Sequence, residues 1–345
     1  MSAFEVPTVD ISAYVERGSP ADQRACAAAM DAACSAVGFV QIVGHGIPAD
    51  AINGLKAAMD DFFAQDLDVK KEYRTPPHIN RGYAPPKSES LSLSLGVEAA
   101  NRMNDFFEAF NVGSQASDFP ALELPKEDYP ENLWPSVEDF QPQVQAYFAE
   151  AGRVARVLTD VFADALELPH GFFQGYTDHS IDVLRMNNYA LPAGTDVQLD
   201  GDLTGMGEHT DYGIVTVLWA DQVRGLQVLD HDGVWHDVSP ADEALLINLG
   251  DLMARWTGDR WMSTLHRVKP PLVDGSIERR RSAAYFHDGN IDATVAAMPT
   301  GKAGASDYPP ITVGEHLRAK LAGSRAGRSN TAAGSEAERV RAAAR

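Results

Sequence analysis

Hydrophobic and polar residues follow two different patterns in the two parts of the chain. In the first part, apolar positions recur at helical spacing, and one such stretch predicts a long helix from Val137 to Leu166 that ends before Pro169. From about Asp182 onward, short apolar runs alternate with Gly, Asp and Pro. Runs of this kind are typical of the strands of a β-sandwich, barrel or jelly roll. The chain is therefore predicted to be mainly β, with helices before the strands.

Composition narrows the possible partners. The chain has 345 residues, 44% of them hydrophobic, and a formal net charge of −20. This charge repels a phosphate backbone, so nucleic acid is not expected as a partner. The first residues lack the basic and apolar regions of a signal peptide, and no later stretch has the apolar length of a membrane span. The sequence predicts a cytoplasmic protein without a membrane segment, and nothing in it indicates an obligate protein partner.

The segment GEHTDYG contains a possible half of a metal site. Side chains alternate between the faces of an extended strand, so His209 and Asp211 project to one side while Thr210 projects to the other. Two ligands of one metal can thus come from three consecutive residues. A His-x-Asp tripeptide also arises by chance in a chain of this composition, so the prediction depends on a third ligand.

The third ligand is predicted from a later strand. An oxygen-activating Fe(II) site takes two imidazoles and one carboxylate on one face of the metal. His266, in the apolar run WMSTLHRV, is the candidate second imidazole. A rival cluster contains His231, Asp232, His236 and Asp237. Asp232 precedes a glycine in a hairpin-turn pair, which favours a solvated turn over a metal site.

Two further strands carry polar side chains on one face. Arg280 and Ser282 alternate onto the same side of RRRSAAYF, and a guanidinium beside a hydroxyl suits a planar carboxylate. Arg185, Asn187 and Tyr189 share a face of LRMNNYAL and would face the interior of a barrel. A polar row in an interior is costly unless it binds something polar. Alternatively, the three consecutive arginines protect a strand edge.

Taken together, these segments resemble the isopenicillin-N-synthase-like branch of the Fe(II)/2-oxoglutarate-dependent dioxygenases. The resemblance runs from about Val6 to Phe286, and the block from LGD to HRV is its most specific part. It implies a double-stranded β-helix (jelly roll) core wrapped by N-terminal helices and one long central helix. Three regions are expected: an N-terminal helical and β region at 1–120, a catalytic core at 121–325 that forms one structural unit with it, and a disordered tail at 326–345.

The resemblance also implies a ligand set. His209, Asp211 and His266 would bind Fe(II), while Arg280 and Ser282 would hold the distal carboxylate of 2-oxoglutarate. The neighbouring arginines leave the register of that pair open. Asn187 and Tyr189 match an Asn-x-Tyr pattern of members that use 2-oxoglutarate, which favours the cosubstrate-dependent mechanism.

The reaction implied is oxidation of a C–H bond of a small molecule by dioxygen. Oxidative decarboxylation of 2-oxoglutarate to succinate and CO2 would supply the oxidant, with hydroxylation as the default outcome and cyclisation or desaturation as variants. Arg81, Tyr83 and Arg185 are candidate substrate positions, and if these arginines face the cavity, they favour a carboxylate-bearing metabolite. Two alternatives stay open. One is an Fe(II) oxidase without 2-oxoglutarate, and the other is a non-catalytic jelly-roll protein that binds a small ligand.

Overall fold

Strands from both parts of the chain contribute to the core of the computed structural model. The structure describes residues 4–86, 88–89, 91–95, 107–190, 205–270, 272–273, 276–298, 304 and 308–326. All but the first residue of the predicted tail lies outside these residues.

The described helices surround the strands. Their bounds are α1 (Ser12–Val15), α2 (Pro20–Ala36), α3 (Ala49–Phe63), α4 (Leu67–Lys71), α5 (Phe140–Ala165), α6 (Gln174–Thr177), α7 (Asp251–Trp256) and α8 (Val313–Ala326), with short 3-10 helices at Leu91–Leu95 and Ala116–Asp118. None of the helices in the described part of the chain combines the length and the apolar character needed to cross a bilayer.

The strands are short and are separated by turns, as the pattern from Asp182 onward predicts. Their bounds are β1 (Thr8–Asp10), β2 (Phe39–Val43), β3 (Gly82–Ala84), β4 (Glu108–Gly113), β5 (Val183–Tyr189), β6 (Met206–His209), β7 (Val215–Ala220), β8 (Leu226–Leu229), β9 (Trp235–Asp237), β10 (Leu245–Leu249), β11 (His266–Val268), β12 (Leu272–Val273), β13 (Ser276–Ile277), β14 (Arg280–His287), β15 (Thr294–Val295) and β16 (Ile311–Thr312).

Two sheets form the core. The larger has the order β1-β2-β10-β7-β14-β5-β4-β3 and the smaller the order β6-β11-β8-β9. Buried side chains of both sheets, among them Tyr189, Leu246 and Val268, belong to one apolar cluster. The mainly β jelly-roll prediction is confirmed, but the two core sheets do not close into a barrel among the described residues, and β12-β13 and β15-β16 form two further two-stranded sheets. The larger sheet takes strands from both sides of residue 120.

The long central helix packs against the outer face of the larger sheet. Helix α5 spans 26 residues, three residues inside the predicted start and one inside the predicted end. One face of it is buried against α2, α3, β7 and β14, and its side chains at Val154, Leu158 and Phe162 are fully buried. The apolar face of α5 is buried because it packs against the sheet and the neighbouring helices. The helix covers one face of the larger sheet, and side chains on the other face line a cavity.

Candidate active site

Two neighbouring strands of the smaller sheet bring the predicted metal ligands together. Strand β6 ends at His209, β11 begins at His266, and the two histidines are direct partners in an antiparallel pair. Asp211 follows two residues after the end of β6. The imidazole Nε2 atoms of His209 and His266 lie 3.8 Å and 3.6 Å from the carboxylate Oδ1 of Asp211. Atoms that share one metal ion at about 2.0–2.1 Å lie roughly 3–4 Å apart, so this spacing fits a single ion.

Hydrogen bonds orient each of the three side chains. The Nδ1–H groups of His209 and His266 donate to the backbone carbonyls of Gly207 and Thr264, at 2.8 Å and 3.1 Å. This leaves the Nε2 lone pairs directed at Asp211. The other carboxylate oxygen of Asp211, Oδ2, accepts hydrogen bonds from Thr216 and Asn248. Partners of this kind fix the rotamer and tautomer of a metal ligand.

Electrostatics favour the ligating form of the imidazole. Burial, together with the adjacent His266, lowers the pKa of His209 to about 3. The imidazole is therefore neutral at physiological pH, which is the form that binds a metal. Among the residues that the structure describes, His209, Asp211 and His266 are the one group of three whose donor atoms lie close enough to hold an ion together, all within 4.8 Å.

The rival cluster forms the turn of a hairpin. His231 and Asp232 are exposed between β8 and β9. His236 lies on β9, where its Nε2 is 2.5 Å from Asp230 Oδ2 and its ring stacks on Phe4. These contacts hold a turn together.

The predicted carboxylate receptor lies in the same cavity as the three ligands. Arg280, Ser282, Asn187 and Tyr189 all line it, as do His209, Asp211 and His266. Strands β14 and β5 pair so that Arg280 lies opposite Tyr189 and Ser282 opposite Asn187. The Arg280 guanidinium is buried over the Tyr189 ring, 5.2 Å from the ring centre.

The Arg280 guanidinium has N–H groups without hydrogen-bond partners among the described residues. They are those of Nε and Nη1. A buried guanidinium with unused N–H groups is costly unless a ligand such as a carboxylate completes it. Its flanking residues differ, since Arg279 and Arg281 both form ion pairs with Asp60. Of the three arginines, it is thus Arg280 that faces the cavity.

Two family models match the chain. One, described as the N-terminal region of a non-haem dioxygenase in morphine synthesis, matches residues 6–137, and the other, the 2OG-Fe(II) oxygenase superfamily, matches residues 181–289. Clavatol oxidase claD from Penicillium crustosum is 30% identical over 334 residues, which cover 93% of this chain and 97% of that protein. The chain belongs to the 2OG-Fe(II) oxygenase superfamily.

Other members of the superfamily are similar over most of this oxygenase. Validamycin A dioxygenase from Streptomyces hygroscopicus subsp. limoneus is 30% identical, over 91% of this chain and 85% of its own. A crystal structure of a full-length Neurospora crassa protein in complex with alpha-KG and thymine superposes with a TM-score of 0.78 at 26% identity, covering 92% of this chain and 96% of that one. The protein is accordingly a non-haem dioxygenase that uses Fe(II), 2-oxoglutarate and dioxygen.

The predicted substrate residues of this oxygenase are engaged in other contacts. Arg81 and Arg185 line the cavity. However, Arg81 donates to the carbonyls of Asn80 and Ser114, and Arg185 forms a buried 2.6 Å ion pair with Glu89. Tyr83 is a buried residue of β3, and its hydroxyl donates to Glu108. The prediction of a carboxylate-bearing substrate assumed that both arginines are available to a substrate, but both are engaged by other residues of the chain.

Helix α8 was not predicted from the sequence. It forms part of the cavity wall and contacts the GEHTDYG segment. Its Leu317 and Leu321 side chains line the cavity. Lys320 is 1% exposed and lies 2.7 Å from Asp251 Oδ2. The hydroxyl of Thr210, between the two ligands of GEHTDYG, lies 3.3 Å from the same oxygen and 3.4 Å from Lys320 Nζ. The helix is thus tied to the segment that carries His209 and Asp211.

Replacing Lys320 with Met is expected to lower the free energy of unfolding by about 3–5 kcal/mol, because it leaves Asp251 buried without its cation. Urea denaturation of both proteins measures this change. The double variant K320M/D251L removes both charges and should recover part of the loss. A single variant as stable as the wild type would show that the pair does not stabilise the fold.

This ion pair also predicts a pH dependence. Burial alone would raise the pKa of Asp251, but Lys320 and His316 hold it below its usual value of 3.8. A carboxyl whose pKa is depressed on folding contributes stability above its unfolded pKa and loses that contribution as the pH falls through the folded value. The pKa of Asp251 should be raised in K320M, so the stability difference between wild type and K320M should be largest at neutral pH and shrink as acidification protonates Asp251 in the variant before it does so in the wild type. Urea denaturation of both proteins from neutral to acid pH shows whether the stability difference falls with pH, as expected.

Proposed function

We propose that His209, Asp211 and His266 hold Fe(II) in this enzyme and that Arg280, with Ser282, Asn187 and Tyr189, holds 2-oxoglutarate. The observation that carries the proposal is the buried guanidinium of Arg280, with two unused donors, in the same cavity as the His-Asp-His group. When bound, Fe(II) and 2-oxoglutarate activate dioxygen for attack on a substrate C–H bond.

The residues of the chain orient the bound groups and exclude water. The carbonyls of Gly207 and Thr264 keep the two imidazoles in the ligating tautomer, while Thr216 and Asn248 hold Asp211. Apolar side chains from β7, β8 and α8 close the walls around them. They are Leu218, Leu226, Leu317 and Leu321. Such a dry and rigid setting directs the reaction to the substrate atom held nearest the metal.

The substrate proposed is a small metabolite, and hydroxylation is the default outcome. The cavity that contains the metal ligands is also lined by polar groups beyond the cosubstrate receptor. Relatives act on small molecules, as the names clavatol oxidase and validamycin A dioxygenase state. Cyclisation or desaturation requires only a different placement of the same C–H bond.

An anaerobic titration tests this assignment. The Fe(II)-loaded protein is titrated with 2-oxoglutarate while the weak visible charge-transfer band of a chelated keto acid is recorded. A saturable band supports the assignment. Iron binding without a band would favour an oxidase in which Arg280 and Ser282 serve the substrate instead, and failure to bind iron would leave only a ligand-binding protein.

A further inference from the structure

Strand β14 presents two polar ends to the cavity, separated by an apolar middle. Its cavity-facing residues are every second one, because side chains alternate along a strand. They are Arg280, Ser282, Ala284 and Phe286, and Asp288 directly after the strand continues the series. Eight residues separate Arg280 from Asp288, which corresponds to about 26 Å of extended chain. The cosubstrate receptor and Asp288 therefore lie at opposite ends of one wall.

Among the described residues, the carboxyl group of Asp288 has neither a hydrogen-bond partner nor an ion-pair partner. The residue is 8% exposed. It contacts Gly213, where an added Cβ would collide with Asp288 Oδ1, so the carboxyl group is held next to the segment that carries Asp211. Burial, with the negative charges of Asp182 and Asp211, raises its pKa well above the usual value. A carboxyl group that is largely buried and lacks a protein partner gains free energy when a ligand in the cavity supplies one.

The surroundings of Asp288 favour a donor and disfavour an anion. Apolar side chains line the same cavity on neighbouring elements. They are Ile181, Val183, Ile291 and Leu317. Away from Arg280, at the other end of the strand, cations of the cavity have other partners: Arg185 pairs with Glu89 and Arg318 pairs with Asp128. A substrate carboxylate beside Asp288 would lie next to the negative charges of Asp182 and Asp211 and lose its hydration, whereas an N–H group would gain an acceptor.

We propose that Asp288 determines substrate specificity by accepting a hydrogen bond from a nitrogen-borne donor of the substrate, whose apolar body packs on Phe286 between Asp288 and the metal ligands. This inference rests on the proposed function, because it takes the other end of β14 to be occupied by 2-oxoglutarate. The substrate class is an amine or another N–H compound with an apolar body. A compound that ends in a carboxylate is disfavoured.

A pair of matched probes tests the inference by binding. The probes are 4-(trifluoromethyl)benzylamine and 4-(trifluoromethyl)benzoate, which share one apolar ring and differ in the end group. Fluorine NMR titrations measure Kd for the wild type, for Asp288→Asn and for Glu127→Gln, which removes an exposed acid of the same cavity. The amine should bind the wild type at least about tenfold more tightly than the benzoate, which corresponds to about 1.4 kcal/mol, because a hydrogen bond from a charged donor is stronger than one between neutral groups.

Asp288→Asn should lose that preference, and Glu127→Gln should keep it. Asp288→Ala serves as a second variant, and melting curves establish that each protein is folded. The inference is wrong if the benzoate binds as tightly as the amine, if Asp288→Asn behaves like the wild type, or if neither probe binds. The 2-oxoglutarate titration on the same preparations separates the two proposals: a normal band without an amine preference overturns only the role of Asp288, while loss of the band in the wild type overturns the proposed function.

Discussion

Replacing His266 with alanine is expected to abolish stoichiometric Fe(II) binding and to reduce substrate-dependent succinate formation by roughly 10³-fold or more. Removing one of three ligands forfeits the metal, whose contribution of several kcal/mol to the reaction corresponds to at least that factor. His266 is 7% exposed and its Nε2 points at Asp211, so alanine removes the ligating nitrogen while the backbone of β11 can still pair with β6 and β8. Iron content by metal analysis and succinate release measure the two effects.

His236→Ala is the matched control for this experiment. It makes the same chemical change in a histidine of the same sheet, which pairs with Asp230 at the β8–β9 turn. It should keep both iron and activity. If His266→Ala retained one equivalent of iron with an unchanged Kd, while its melting curve showed a folded protein, the ligand assignment would be wrong.

Arg280→Leu is expected to weaken 2-oxoglutarate binding by about 100-fold or more, because a buried bidentate ion pair with the cosubstrate contributes several kcal/mol once its partner is truncated. Without 2-oxoglutarate, however, the Arg280→Leu variant should be at least as stable as the wild type. Two nitrogen atoms of the Arg280 guanidinium have no partner among the described residues, so a leucine of similar volume removes a costly buried charge. Thermal melts with and without 2-oxoglutarate measure both effects.

Without cosubstrate, the variant should melt at the wild-type temperature or above it, and it should lack the rise that a ligand of the native state produces in the wild type. Arg281→Leu provides the control, since Arg281 pairs with Asp60 on the other side of β14. It should melt slightly lower and bind 2-oxoglutarate normally. The opposite result, with Arg281→Leu losing the cosubstrate, would shift the register of the receptor by one residue.

Alternation along strands carried most of what the sequence could predict about the site. It placed His209 with Asp211 and Arg280 with Ser282, and the structure puts all four in one cavity. These placements are local, because the face of a strand is fixed by spacing alone. The same alternation, continued from Ser282 past Phe286, reaches Asp288, so this residue could also have been found from the sequence.

What the sequence could not predict depends on contacts between distant segments. Arg185 faces the cavity as expected, but its charge is neutralised by Glu89, which lies 96 residues earlier. Arg81 bonds to backbone carbonyls that no side-chain pattern reveals. Likewise, the division of the strands into two sheets follows from pairings such as β2 with β10, about 200 residues apart, rather than from the strands themselves.

Because α8 docks on the GEHTDYG segment, iron binding and the docking of this helix are thermodynamically coupled. Lys320 reaches Asp251 and Thr210 only when the helix is seated, and Thr210 stands between His209 and Asp211. If docking of α8 increases the affinity for iron by some factor, then iron binding increases the equilibrium constant for docking by the same factor. We therefore expect bound metal to protect α8 from proteolysis, and removal of the metal to increase its cleavage.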